Sequence, residues 1–228
     1  MQPIEDAASR APEIDRSYSA ILLGLGLFHL LGSASLTFAV AQGQGLAAAR
    51  FPANLLLLIG AVALAAAVVR WLRLPIYFSA TAAASIFLAV AFPLGTAAFV
   101  YWLTKVQPRE LKEMPDSERE SFRYTVGLYV AGLAFCLSAL VFQYMIDMAP
   151  PDGRGLWGMF RLAFFVAAFL LLTLGVLRSV KQPFSYFATL ILNVLLILYL
   201  PIGTCFALFW FLSVRKHDLS VYRGQAVL

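Results

Sequence analysis

The sequence predicts an all-α, polytopic membrane protein of six transmembrane helices, arranged as two tandem three-helix repeats, and three observations predict it. The 228 residues are 61% hydrophobic and only 13% charged, with a mean hydropathy of +0.82. A soluble domain averages about 45–50% apolar and about 25% charged residues. The charged residues that do occur leave six long uncharged intervals. Finally, the chain matches itself without gaps when Arg70 is laid on Arg178. Together these exclude a soluble enzyme, a nucleic-acid-binding domain, a disulfide scaffold and a disordered chain.

The uncharged intervals run from Arg16 to Arg50, Arg50 to Arg70, Arg73 to Lys105, Arg123 to Asp147, Arg161 to Arg178 and Lys181 to Arg215. A helix needs about 20 apolar residues to cross a ~30 Å hydrocarbon core. The expected spans are therefore 20–41, 53–72, 76–103, 124–146, 159–178 and 184–212. The fifth is slightly short, and Arg161 and Arg178 can lengthen it by snorkelling. The runs are continuously apolar and do not alternate, which argues against barrel strands. Trp71, Trp102, Trp157 and Trp210 fall at span ends, where indole rings favour the headgroup layer. Ala39-Val40-Ala41 has the small-x-small form of a signal cleavage site. The preceding residues 1–19, however, carry four acidic and only two basic side chains, so they are expected to be an uncleaved polar tail.

In the self-match, Arg70 falls on Arg178, Arg73 on Lys181, Pro75 on Pro183 and Trp102 on Trp210. Positions 64–102 give 11 identities in 39 pairs. Before position 64 the match fades, Gly24-Leu25 on Gly132-Leu133 being its best remnant. The expected organisation is a tail (1–19), a first repeat (20–111), a charged linker (112–123), a second repeat (124–219) and a C-terminal tail (220–228). Three spans per repeat would turn the second copy upside down. Charge counting then leaves nine Lys/Arg on one side and eight on the other, too even to fix orientation.

Pro93-x-Gly95-Thr96 with Trp102, and its copy Pro201-x-Gly203-Thr204 with Trp210, resemble the last span of a group of small bacterial inner-membrane proteins that carry no established activity. The resemblance covers about 30 residues per repeat and implies a bacterial cytoplasmic membrane, with no function attached. The intervals around these motifs are too long for one straight span, so each helix is expected to break or kink at the proline. One reading makes the break a ligand site, with carbonyls 89–92 and 197–200 and the Thr96 and Thr204 hydroxyls as polar groups, as in inverted-repeat transporters. The plainer reading is a turn that leads the chain out of the membrane.

Other candidates are sparse. His29 lies deep in the first span and could serve as an axial ligand to haem or a pigment; its plainer role is a neutral imidazole hydrogen-bonded to a helix. No other cofactor is expected. Cys136 and Cys205 lack zinc or redox spacing. Arg70, Arg73, Arg178 and Lys181, with the four tryptophans, are expected to anchor lipid headgroups. No catalytic constellation is present in the sequence, and the span cores hold no Asp, Glu, Lys or Arg, which argues against proton or sodium coupling.

The expected function is therefore a non-catalytic membrane protein, an accessory or scaffold subunit of a larger assembly or a self-associating one, without nucleic-acid partners. The alternative is a small transporter of an uncharged or lipid-like substrate. A polar cavity lined by Thr81, Thr96, Thr189, Asn193 and Thr204 would favour transport; a solid Ala/Leu/Phe core would favour the scaffold.

Overall fold

A computed structural model describes residues 4–42, 49–91, 93–182, 184–197 and 202–225. It is all-α, with no strand among the described residues. Four helices are long and apolar enough to cross a membrane: α1 (Ile4–Ala41, apolar from Arg16), α2 (Arg50–Trp71), α6 (Asp116–Met148) and α7 (Arg154–Ser179). They coincide with the first, second, fourth and fifth expected spans. α1 and α2 pack as an antiparallel hairpin, as do α6 and α7. At each crossing a glycine permits the close approach: a Cβ on Gly26 would sit 2.6 Å from Leu64, and one on Gly132 2.7 Å from Leu172.

Among the described residues the third and sixth expected spans contain no helix long enough to span a membrane. The third is divided into α3 (Tyr77–Leu88) and then α4 (Leu94–Tyr101), a π-helical turn (Trp102–Val106) and α5 (Gln107–Glu113). At 1.5 Å per residue α3 is only ~18 Å long, too short for the hydrocarbon core. The chain then doubles back. Glu110 near the end of α5 reaches Arg70 at the end of α2, the point from which α3 set out. The described parts of the sixth are α8 (Phe184–Ile197) and, beyond residues 198–201, which lie outside the described residues, α9 (Ile202–Phe209), a π-helical turn (Trp210–Val214) and α10 (Arg215–Gln225).

The Pro-x-Gly-Thr motif makes this reversal possible. Pro93 stands at the N-cap of α4, where its missing N–H costs nothing. Gly95 donates its N–H to the Ala91 carbonyl at 2.7 Å. A side chain there would collide with the Leu88 carbonyl oxygen and the Ala91 methyl. Thr96 donates to the Ala89 carbonyl at 2.8 Å, seven residues back, so it closes the end of α3 and does not cap its own helix. Pro201 lies outside the described residues; Gly203 and Thr204 lie in the first turn of α9.

The charged ends of the helices gather on one face. Lys181 at the end of α7 pairs with Glu118 at the start of α6 (2.9 Å), and Ser79 at the start of α3 meets Ser179 (2.7 Å). At the opposite face Phe51 packs on Tyr144, and Arg161 and Asp147 bond the Gln143 amide. The first core cluster joins α1–α4 to the face of α6 carrying Val126, Tyr129 and Leu133. A second lies within α6–α10 around Tyr124, Leu128 and Trp210.

Candidate functional site

The most developed polar chemistry lies where the two basic helix ends meet the returning helices. Arg178, in the last turn of α7, is 8% exposed. A buried guanidinium must satisfy five N–H donors, and here all five find acceptors. Nη1 and Nη2 clamp Asp218 of α10 at 2.5 and 3.1 Å. Nε donates to Thr125 and Nη1 to Thr189, both at 3.2 Å, and Nη2 donates to Ser121 at 2.9 Å. Trp210, fully buried, donates its indole N–H to the same Asp218 carboxylate at 2.8 Å. The guanidinium also lies 4.8 Å above the Tyr124 ring, whose hydroxyl accepts from the Asn193 amide at 2.7 Å.

Arg70, at the end of α2, is placed in the same way. It is 4% exposed and pairs with Glu110 at 2.5 Å, its guanidinium 5.5 Å above the Tyr18 ring. The Tyr18 hydroxyl meets Ser85 Oγ at 2.5 Å, and its ring stacks on Tyr101. Trp102 is buried here too, but among the described residues its indole N–H has no hydrogen-bond partner, and neither does the hydroxyl of Thr81.

These placements correct four of the expected headgroup anchors. Arg70, Arg178, Trp102 and Trp210 face the interior: each arginine has a carboxylate of its own, Trp210 bonds the Asp218 carboxylate, and Trp102 is buried in the first core cluster. The other four stand differently. Trp71 is 70% exposed and Arg73 is exposed, open to headgroups; Trp157 is half-buried on Phe142; and Lys181, exposed, pairs with Glu118. Arg73 and Lys181 share an uncommon backbone, with φ of 49° and 53°. Each closes its helix in the left-handed conformation usually given to glycine, at a cost of about 1–2 kcal/mol.

The remaining candidates find local partners. His29 is buried, and its Nδ1 is bonded at 2.8 Å to the Leu25 carbonyl one turn back, with Phe28 edge-on to the ring. No group of three or more His, Cys, Asp or Glu side chains is suitably placed for a metal among the described residues. Cys136 is half-buried and Cys205 exposed, both free thiols. Of the carbonyls 89–92 expected to be available to a ligand, Ala89 is occupied by Thr96 and Ala91 by Gly95. Thr81, Thr189 and Asn193 are fully buried in packed interior.

A cavity of ≈ 160 Å³ opens at the charged face, between the start of α3 and the α6–α7–α10 ends. Ser79, Ser121, Ser179, Gln182 and His217 line it beside Arg178 and Lys181. Both cations already have carboxylates, and Ser179 donates to the Gly175 carbonyl at 2.9 Å. The arrangement suits holding helix ends together. Sequence reasoning missed Glu110 and Asp218, although the signal was present. The self-match that lays Arg70 on Arg178 also lays Glu110 on Asp218 and Ser85 on Asn193.

No protein-family model matches the chain, and no curated protein or solved structure matches it either.

Proposed function

We propose that the chain is a non-catalytic integral membrane protein, a scaffold or accessory subunit of a larger membrane assembly, built from two tandem repeats in the same orientation. The observation that carries the scaffold reading is the fate of the interior polar groups. Thr81, Thr189 and Asn193 are fully buried, Thr189 and Asn193 bonded to Arg178 and Tyr124, and Thr96 is spent on its own hairpin. A transporter would present them to a cavity. Purification from native membranes in mild detergent tests this. The expected species runs well above the 25.0 kDa chain, with further subunits or copies bound in fixed ratio. A clean, colourless monomer would favour transport instead, with Thr81, Thr189 and Asn193 as the side chains to replace.

The repeat reading is supported by paired devices: the ion pairs Arg70–Glu110 and Arg178–Asp218, the π-helical turns, and the left-handed residues Arg73 and Lys181. All recur in the register that lays Arg70 on Arg178. In the first helix of each unit the register shifts by two, which sets Tyr18 on Tyr124, Leu22 on Leu128 and Gly26 on Gly132. Each of these matches in burial or in close contact, unlike the pairing of Gly24 with Gly132.

Each unit then has two crossings and a helical hairpin that enters and leaves by the same face, so an even number of crossings keeps the second copy upright. This replaces the inverted arrangement. It also separates the charges. Of 17 Lys and Arg, only Arg50, Arg154 and Arg161 lie toward the far face. By the positive-inside rule the charged face, with both termini, is cytoplasmic; the motif resemblance supports a bacterial inner membrane.

Residue 112 discriminates the two arrangements, since six crossings would put it outside. In a chain with Cys136 and Cys205 replaced by alanine, Lys112→Cys is expected to resist an impermeant maleimide in intact cells and to react after permeabilisation. Gln42→Cys is expected to react in both. External labelling of Lys112→Cys would restore six crossings.

A further inference from the structure

The junction between the two units serves as a template. It rests on the tandem-repeat reading above. α3 of the first unit packs against α6 of the second. Where they meet the end of α7, Ser79 and Ser179 share a 2.7 Å hydrogen bond and the Tyr129 hydroxyl lies 3.3 Å from Ser179. Ser79, Ala83 and Phe87 form the stripe of α3 at this junction, only 6, 2 and 7% exposed. Opposite stand the bulkier Val126, Tyr129 and Val130 of α6.

Moving one repeat along the chain leaves both halves of such a junction largely exposed, Phe187 alone of the three α8 residues being packed edge-on against the Tyr222 ring of α10. The α3 stripe becomes Phe187, Ile191 and Leu195 of α8, which are 44, 61 and 58% exposed. The α6 face becomes Ala20, Leu23 and Gly24 of α1, and Ser179 becomes Trp71. Leu23 is 42% and Trp71 70% exposed, and a Cβ on Gly24 would meet nothing within 4 Å. The exchange is uneven: Ser79 and Ala83 of α3 become the bulkier Phe187 and Ile191 on α8, Phe87 becomes the smaller Leu195, and Val126 and Val130 of α6 become Ala20 and Gly24 on α1. The hydrogen-bonded Ser79, Ser179 and Tyr129 are replaced by Phe187, Trp71 and Leu23, apolar at all three places, both serines giving way to larger ring side chains. The match of large against small is therefore that of Phe187 and Ile191 with Ala20 and Gly24. Small residues that let a second helix approach closely are the usual basis of helix association in bilayers.

We infer that α8 of one copy docks on α1 and Trp71 of a second copy, repeating the internal junction between molecules. Such a head-to-tail contact closes into a ring when the rotation per unit divides a full turn and otherwise extends as a filament.

Disulfide trapping in native membranes tests the contact. Trp71→Cys and Phe187→Cys stand where Ser179 and Ser79 stand inside the chain, a separation that suits a disulfide. They are placed on two differently tagged, co-expressed full-length chains lacking Cys136 and Cys205. The expected product is a reducible heterodimer of twice the chain mass, its yield lowered about tenfold by Gly24→Leu, a change the open space around Gly24 accommodates. The control is Ser79→Cys with Ser179→Cys in one chain, which is expected to lock the monomer internally. If the control locks and no heterodimer forms, lipid or another protein covers α8; the second-copy contact is then overturned while the repeat stands. If the control does not lock, the repeat junction itself fails and the inference falls with it.

Discussion

Arg178→Ala is expected to destabilise the protein by about 3–5 kcal/mol, the cost of removing one partner from a buried ion pair. The loss exceeds that of an ordinary surface salt bridge because Asp218 would keep its charge, 9% exposed at the side chain, with only hydroxyl and indole donors left around it. Thr125, Thr189 and Ser121 would each lose a donor as well. Unfolding in mixed detergent and denaturant measures the effect. Asp218→Ala should cost a similar amount, and the double variant should cost clearly less than the two single losses added together, since neither charge is then stranded. Additive losses would mean that the pair is not coupled as its geometry requires. Arg178→Lys should recover little, because an ammonium has three donors where five acceptors wait.

Trp210→Ala is expected to cost about 3–5 kcal/mol through the cavity it leaves, and the phenylalanine variants separate packing from hydrogen bonding. Trp210→Phe removes the N–H that binds the Asp218 carboxylate at 2.8 Å, a charged hydrogen bond of about 1.5–3 kcal/mol. Trp102→Phe removes an indole N–H that has no partner among the described residues, so it should lower the denaturation midpoint much less. Equal losses from the two phenylalanine variants would show that the bond to Asp218 contributes nothing.

The membrane class and the four long helices were legible because they depend on composition and interval length alone. The helix from Arg50 to Trp71, for example, was expected at 53–72. The reversal at Pro93 was not legible. Residues 76–103 fit neither one crossing nor two. What decides between a kink and a hairpin is a tertiary contact between Glu110 and Arg70, which lie far apart in the chain. Treating every charged side chain as a boundary with water hid that contact and turned Arg70 and Arg178 into surface anchors. A buried pair breaks the rule on which the interval count depends. Trp102 and Trp210 misled as well, since both are buried, Trp210 against the Asp218 carboxylate and Trp102 in the first core cluster. The shifted register proposed for the first helix was hidden because Tyr18, Leu22 and Gly26 have few neighbours distinctive enough to outweigh a shift of two positions.

The hairpins that turn back at Pro-x-Gly-Thr also bear on how the protein enters its membrane. In the proposed four-crossing topology α3 through α5 and α8 through α10 return to the face they started from, and biogenesis then has to translocate only two connections. The connections, residues 42–49 and 149–153, contain Asp152 as their one charge, and Arg50, Asp147, Arg154 and Arg161 at the adjoining helix ends cross with them. Each long helix pair can therefore insert as a unit during synthesis, carrying a short tip with few charges across the bilayer. The charged segments around Glu110 and Asp218 stay on the ribosome's side, free to fold back onto Arg70 and Arg178 once the helices are in place.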